Sequence, residues 1–225
     1  MRQGFGFGIT LVALSALAGA AAAQDTDRSV AGGGIHVPGW QGSAAAGQDI
    51  NTAKLTKEGD ALHVVTGPAI TYWNPANKAS GDYTIKATFT EAAYMALNDH
   101  PHPYGIMIAG NDLGTPQQSY LYCAAYGNGS FILRGFGPEP FQMGRRAPHD
   151  AVRKAAGQGQ SVTQEIAVSV KGDKVECAIN GTVVASHTKA ELVTAGKLKS
   201  TDGVYGVRFA HNTEGTVTGL TMTKP

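Results

Sequence analysis

The feature that most constrains this chain is strict two-residue alternation of apolar and polar side chains, repeated in short runs and broken each time by a turn signal. In Tyr83-Thr84-Ile85-Lys86-Ala87-Thr88-Phe89 the apolar residues fall on one face and the threonines and Lys86 on the other. That is the period of a half-buried strand, because successive side chains of extended backbone point to opposite sides. Further runs of this kind lie at 61–65, 104–109, 119–126, 130–135, 164–170, 174–179, 182–186, 203–210 and 215–223. Between them stand Asn128-Gly129, Asn180-Gly181 and Lys171-Gly172-Asp173-Lys174, sequences that favour the positive-φ turns closing hairpins. No convincing amphipathic helix interrupts the series. The pattern predicts an all-β fold, an antiparallel sandwich.

Two stretches break the rhythm. Residues 136–163 hold prolines, glycines and a basic cluster (Arg145, Arg146, Arg153, Lys154), long for a connection inside a compact domain. One helical turn is expected at 149–156. Residues 91–103, with the segment Asp99-His100-Pro101-His102-Pro103, read as a loop at the rim of a sheet.

The N-terminus bears on compartment. Arg2, an apolar run from Ile9 to Ala18, and Ala21-Ala22-Ala23 make a signal peptide over residues 1–23, cleaved near Ala23. No later run approaches the ~18 apolar residues of a membrane span, so membrane insertion is not expected. The expected product is periplasmic or secreted. A glycine-rich, flexible lead-in follows at 24–34 and one domain at 35–225, roughly 200 residues in all, enough for a sizeable β core. Loss of Arg2 leaves as many basic as acidic residues, 17 of each. A neutral chain gives no electrostatic reason to expect nucleic acid as a partner. Cys123 and Cys177 sit in strand-like runs in an oxidising compartment, where a disulfide and two buried thiols are both compatible with the sequence.

Three segments carry a resemblance. Residues 165–182, two alternating runs around Lys171-Gly172-Asp173-Lys174 and ending in Asn180-Gly181-Thr182, look like the paired strands of laminin G-like and concanavalin A-like domains. Gly203-Val-Tyr-Gly-Val-Arg-Phe-Ala-His-Asn resembles their closing strand, and residues 104–113 with Ser119-Tyr-Leu-Tyr resemble their central hairpin. The chain is also similar to bacterial domains grouped with 3-keto-disaccharide hydrolases and family 16 glycosidases. The resemblance implies a concanavalin A-like jelly roll over most of residues 60–223. It specifies fold better than activity.

Catalytic motifs are missing. The Glu-x-Asp-x-x-Glu strand of family 16 glycosidases is not present, nor is a Gly-x-Ser-x-Gly elbow, a His-Glu-x-x-His or a Cys-x-x-Cys. A saccharide site is expected instead on the outward sheet face. Sugars stack on aromatic rings and are oriented by a few polar groups, and Trp73, Tyr120, Tyr122, Arg134, Arg208 and His211 are the candidates. Calcium is a possible cofactor, held by Asp99, Asn111 and Asp112 if their two loops meet. Zinc would instead take His100 and His102 with a third ligand. The function expected is binding of a saccharide or cell-surface glycan without turnover. The alternatives are a glycoside hydrolase using Asp99, His102 or His149, and a structural or protein-interaction module of the cell envelope with 136–163 as its contact.

Overall fold

The computed structural model describes residues 1, 26–45 and 47–225; apart from Met1, the expected signal peptide lies outside the described residues. The chain forms two sheets. The first runs β1 (Gly34–Ile35), β3 (Lys54–Glu58), β4 (Ala61–Val65), β16 (Glu214–Thr223), β6 (Tyr83–Glu91), β12 (Val162–Lys171), β13 (Lys174–Ile179), β14 (Thr182–Thr188). The second runs β10 (Pro140–Gln142), β9 (Ser130–Phe136), β8 (Ser119–Tyr126), β7 (Pro103–Asn111), β15 (Gly203–Phe209), β5 (Ile70–Ala79), β2 (Gln41–Ala44), with β11 (Ala147–Pro148) also on β9. Apart from the parallel β1–β3 pair the ladders are antiparallel. This is the expected β-sandwich.

Alternation decides which side chains enter the core. On β6, Tyr83, Ile85, Ala87 and Phe89 are buried and Lys86 is exposed. They stand opposite Val170, Val168, Ile166 and Gln164 of β12. Phe89, Tyr104 and Phe209 pack at centroid distances of 5.9–6.0 Å and join the two sheets. Each such ring contributes roughly 1.5–3 kcal/mol by leaving water. Cys123 of β8 and Cys177 of β13 form a disulfide across the sandwich, which decides between the two readings the sequence left open.

The hairpins differ in their turns. Asn180 and Gly181 both have positive φ (50° and 83°) and leave Ile179 paired with Thr182, the two-residue turn expected of Asn-Gly. At Asn128-Gly129 only the glycine is left-handed, and the Asn128 side chain accepts from Ser130 N instead. β5 is longer than alternation suggests. The strand passes through Asn74-Pro75 and continues to Ala79 because an irregularity opposite Tyr205 absorbs the proline.

The 136–163 segment contains no helix. The expected helical turn at 149–156 is a single hydrogen-bonded turn, Val152 N to His149 O, within a segment that lays β10 and β11 on β9. Buried Gln164 grips both backbone groups of Arg153, and the Asn180 amide donates to Ala151 O. Part of the lead-in is also tied down. Asn212 accepts from Arg28 N and donates to Thr26 O, and Arg28 Nε donates to Thr66 O.

Candidate functional site

Strand β8 sorts its residues between two layers. Leu121, Cys123 and Ala125 enter the core between the sheets, while Tyr120, Tyr122, Ala124 and Tyr126 lie on the other face of the second sheet. There they join Trp73, Met107 and Ile132 in a second apolar layer, with Phe136 packed against it. The tyrosines thus take the side that alternation assigns to them, but not as bare platforms: Trp73, Tyr120 and Tyr122 are 5%, 2% and 5% exposed.

Guanidinium groups lie over this aromatic layer. Arg208 of β15 sits 5.8 Å from the Tyr122 ring centroid and 5.3 Å from that of Phe136, and donates to Thr71 Oγ1 at 3.0 Å. Thr71 Oγ1 donates in turn to the Tyr120 hydroxyl. Arg146, from the segment between β10 and β11, lies 4.3 Å over the Tyr126 ring. A cation against a ring face is attracted by the ring quadrupole, which holds these groups in place without neutralising them. Arg134 Nε is buried with no hydrogen-bond partner among the described residues. A donor in that state is costly unless a ligand supplies the acceptor.

These groups line a cleft of about 310 Å³ formed by Tyr122, Tyr126, Arg134, Arg146, Arg208 and the rings of His100, His102 and His211. Among the described residues no carboxylate lines it. A second cleft of about 290 Å³ is lined by Tyr120, Phe136, Pro138 and Pro140 and shares Arg208 with the first. Burial raises the Tyr122 and Tyr126 hydroxyls above the ordinary tyrosine range, opposed by Arg208 and Arg134 at Tyr122 and by Arg146 at Tyr126. Both therefore stay protonated at neutral pH.

The structure gathers Tyr122, Arg134, Arg208 and His211 at one cleft and places Tyr120 on its neighbour, whereas Trp73 stays in the packed layer and lines neither. The residues grouped for calcium lie at opposite ends of β7. Asp99 precedes β7, whereas Asn111 ends it and Asp112 follows, so the length of the nine-residue strand, about 30 Å, separates them. Asp99 faces His100, Asn111 donates to Ala109 O and Asp202 O, and Asp112 pairs with Lys199. His149 packs edge-on against Phe131 and lines neither cleft. Sequence reasoning did not single out Arg146, Tyr126, Thr71 or Asp27. The basic cluster in 136–163 was the available signal for Arg146; Asp27 gave none, because nothing local ties it to His211.

The fold and cleft define an antiparallel β-sandwich with a cationic, aromatic-floored groove on one sheet. Neither a protein-family model nor a curated protein sequence matches the chain. Among solved structures it is similar to the carbohydrate-binding module CBM66 from Bacillus subtilis, with a TM-score of 0.56 at 9% identity over 85% of this chain and 99% of that one. A protein of unknown function with a galectin-like fold, also from Bacillus subtilis, gives 0.54 at 11% identity over 82% and 89%. At such identities the likeness shows the fold.

Proposed function

We propose that this chain is an exported saccharide-binding module, without catalytic turnover, whose ligand is an acidic glycan carrying carboxylate or sulfate groups. The observation that carries the reading is the first cleft: Arg134, Arg146 and Arg208 converge over Tyr122 and Tyr126, and none of the three pairs with a carboxylate among the described residues. Arginine presents a planar fork of donors that matches carboxylate geometry. The Arg134 Nε–H, without a partner among the described residues, offers the ligand's oxygen a donor that is already desolvated. Arg208, shared by both clefts, suits a chain of sugar units crossing from one to the other. The carbohydrate-binding module of similar fold is consistent with this reading, and the alanine-rich leader at 1–23 supports export to the periplasm or beyond.

The test is thermal unfolding of the purified protein against neutral, uronate-containing and sulfated oligosaccharides. A ligand at about one hundred times its Kd stabilises the native state by roughly 2.7 kcal/mol. In a protein of this size that is a rise of about 5–11 °C. Uronate or sulfated oligosaccharides should give the rise, and Arg134→Gln should abolish most of it. A rise with neutral sugars alone, or with none, refutes the reading.

A further inference from the structure

Three histidines that meet at one end of the cleft are ordered by a set of contacts that saccharide binding does not require. His100 and His102 each precede a proline, which restricts both to extended backbone. Residues two apart in extended chain share a side, so both rings face the same way. His211 lies two residues beyond the facing strand, β15. The β7–β15 ladder pairs Tyr104 with Phe209, and Ala210 N donates to Pro103 O, so one step further His211 lies against His102. Their rings stack at 4.1 Å, and His100 stands edge-on to His102 at 4.3 Å.

The hydrogen bonds settle which nitrogen of each ring carries the proton. His100 Nδ1 is 2.7 Å from Asp99 Oδ1, His211 Nδ1 is 2.9 Å from Asp27 Oδ1, and His102 Nδ1 is 2.6 Å from the carbonyl of His211. Carboxylate and carbonyl oxygens only accept, so all three Nδ1 atoms donate. The Asn98 amide nitrogen also lies near His102 Nδ1, at 3.1 Å, but it donates to Asn212 O at 2.8 Å, and the shorter carbonyl contact decides the tautomer. Nε2 is then the coordinating nitrogen of each ring. Fixing Nδ1–H on a carboxylate or carbonyl is how histidine ligands of metals are oriented and made more basic.

Ligand nitrogens of the three rings lie close together. One ligand atom from each ring lies within 4.8 Å of the others, and His100 Nε2 and His102 Nε2 are 2.7 Å apart. A metal ion seated between the rings would take a lone pair from each. The geometry points to a metal site: His100, His102 and His211 bind a divalent transition-metal ion of the zinc class through Nε2. Tetrahedral bonds of about 2.0–2.1 Å require nitrogens roughly 3.3 Å apart, a spacing between the two distances above. Asp27 and Asp99, one behind each outer ring, balance the ion's two charges. All three histidines line the cleft, so the fourth position is open to water or to an anionic oxygen bound there. This ligand set replaces the calcium grouping of Asp99, Asn111 and Asp112, and it stands whether or not the cleft takes a saccharide.

The experiment uses protein stripped with a chelator and titrated with Zn²⁺ or Co²⁺ at neutral pH, without sugar. One equivalent should bind, Co²⁺ should give the intense visible bands of a four-coordinate site, and X-ray absorption of the zinc form should show three imidazole nitrogens. His211→Ala and His102→Ala should lose binding at least a hundredfold, and Asp27→Asn should weaken it about 10–100-fold. His36→Ala, outside the cluster, should bind as the parent does. Absence of stoichiometric binding by the parent overturns the proposal. So does binding that survives His211→Ala, or a coordination shell without imidazole. X-ray absorption is read on the parent protein, so a variant that fails to fold does not leave the question open.

Discussion

Glu91 closes β6 with its carboxyl turned into the protein, 7% exposed. Oε1 accepts from Met95 N at 3.3 Å, while Oε2 has no hydrogen-bond partner among the described residues. Burial raises its pKa to about 7 from an ordinary value of 4.5, the Met95 bond opposing only in part. Between those two pH values the native state holds a proton that the unfolded chain has released, so stability falls as pH rises. The contribution is fully favourable below about pH 4.5 and is lost once pH passes about 7. At about 1.36 kcal/mol for each pH unit between about 4.5 and about 7, the loss is about 3 kcal/mol. Glu91→Gln keeps the shape and removes the titration. Melting temperatures of parent and variant should therefore diverge between pH 5 and pH 8, the variant gaining about 6–12 °C relative to the parent. Gln introduces an amide donor at a dry position, a cost that is constant with pH and cancels in the slope. Other titrating groups are shared by both proteins and cancel too. Parallel melting curves across that range would refute the burial argument.

Reducing the Cys123–Cys177 bridge reopens a loop of 54 residues, which on the chain-entropy relation costs about 4 kcal/mol. Calorimetry with and without reductant should show a fall of about 8–16 °C, and a fall under 3 °C would mean that the bridge adds little. Gly105 of β7 packs so closely on β8 that a Cβ would stand 1.9 Å from the Cys123 carbonyl oxygen and 2.6 Å from Ala124 Cα. Both are backbone atoms, so Gly105→Ala must part the central strands. A loss of at least about 3 kcal/mol in urea unfolding is expected, and one below about 1 kcal/mol would show that the sheet yields.

Much of the framework was legible because strand burial has a period that composition records locally. The run at 83–89 needs only a dry side and a wet side to be read, and the same holds for 164–170 and 119–126. Turn chemistry was legible where one dipeptide closes a two-residue loop, as at Asn180-Gly181. It misled at Asn128-Gly129, where the turn is shaped by the side chain of Asn128 and by the neighbouring segment. β5 was not among the runs read from the sequence, since Pro75 interrupts it and tolerance of a strand proline depends on a bulge in the pairing with β15.

The site divides along the same line. The sequence by itself determined that Tyr120, Tyr122 and Tyr126 share a face, that Arg134 and Arg208 leave the core, and that the two prolines hold His100 and His102 extended. Each is a consequence of backbone geometry over a few residues. Which distant groups join them was decided only by tertiary structure. Strand pairing brought His211 against His102 across 109 residues and the pinned N-terminal segment brought Asp27 to His211. The gripping of 136–163 by Gln164 and Asn180 set Arg146 over Tyr126. The length of β7 kept Asp112 away from Asp99. Contacts of that range depend on register and loop path, which the folded chain settles as a whole and no local pattern encodes.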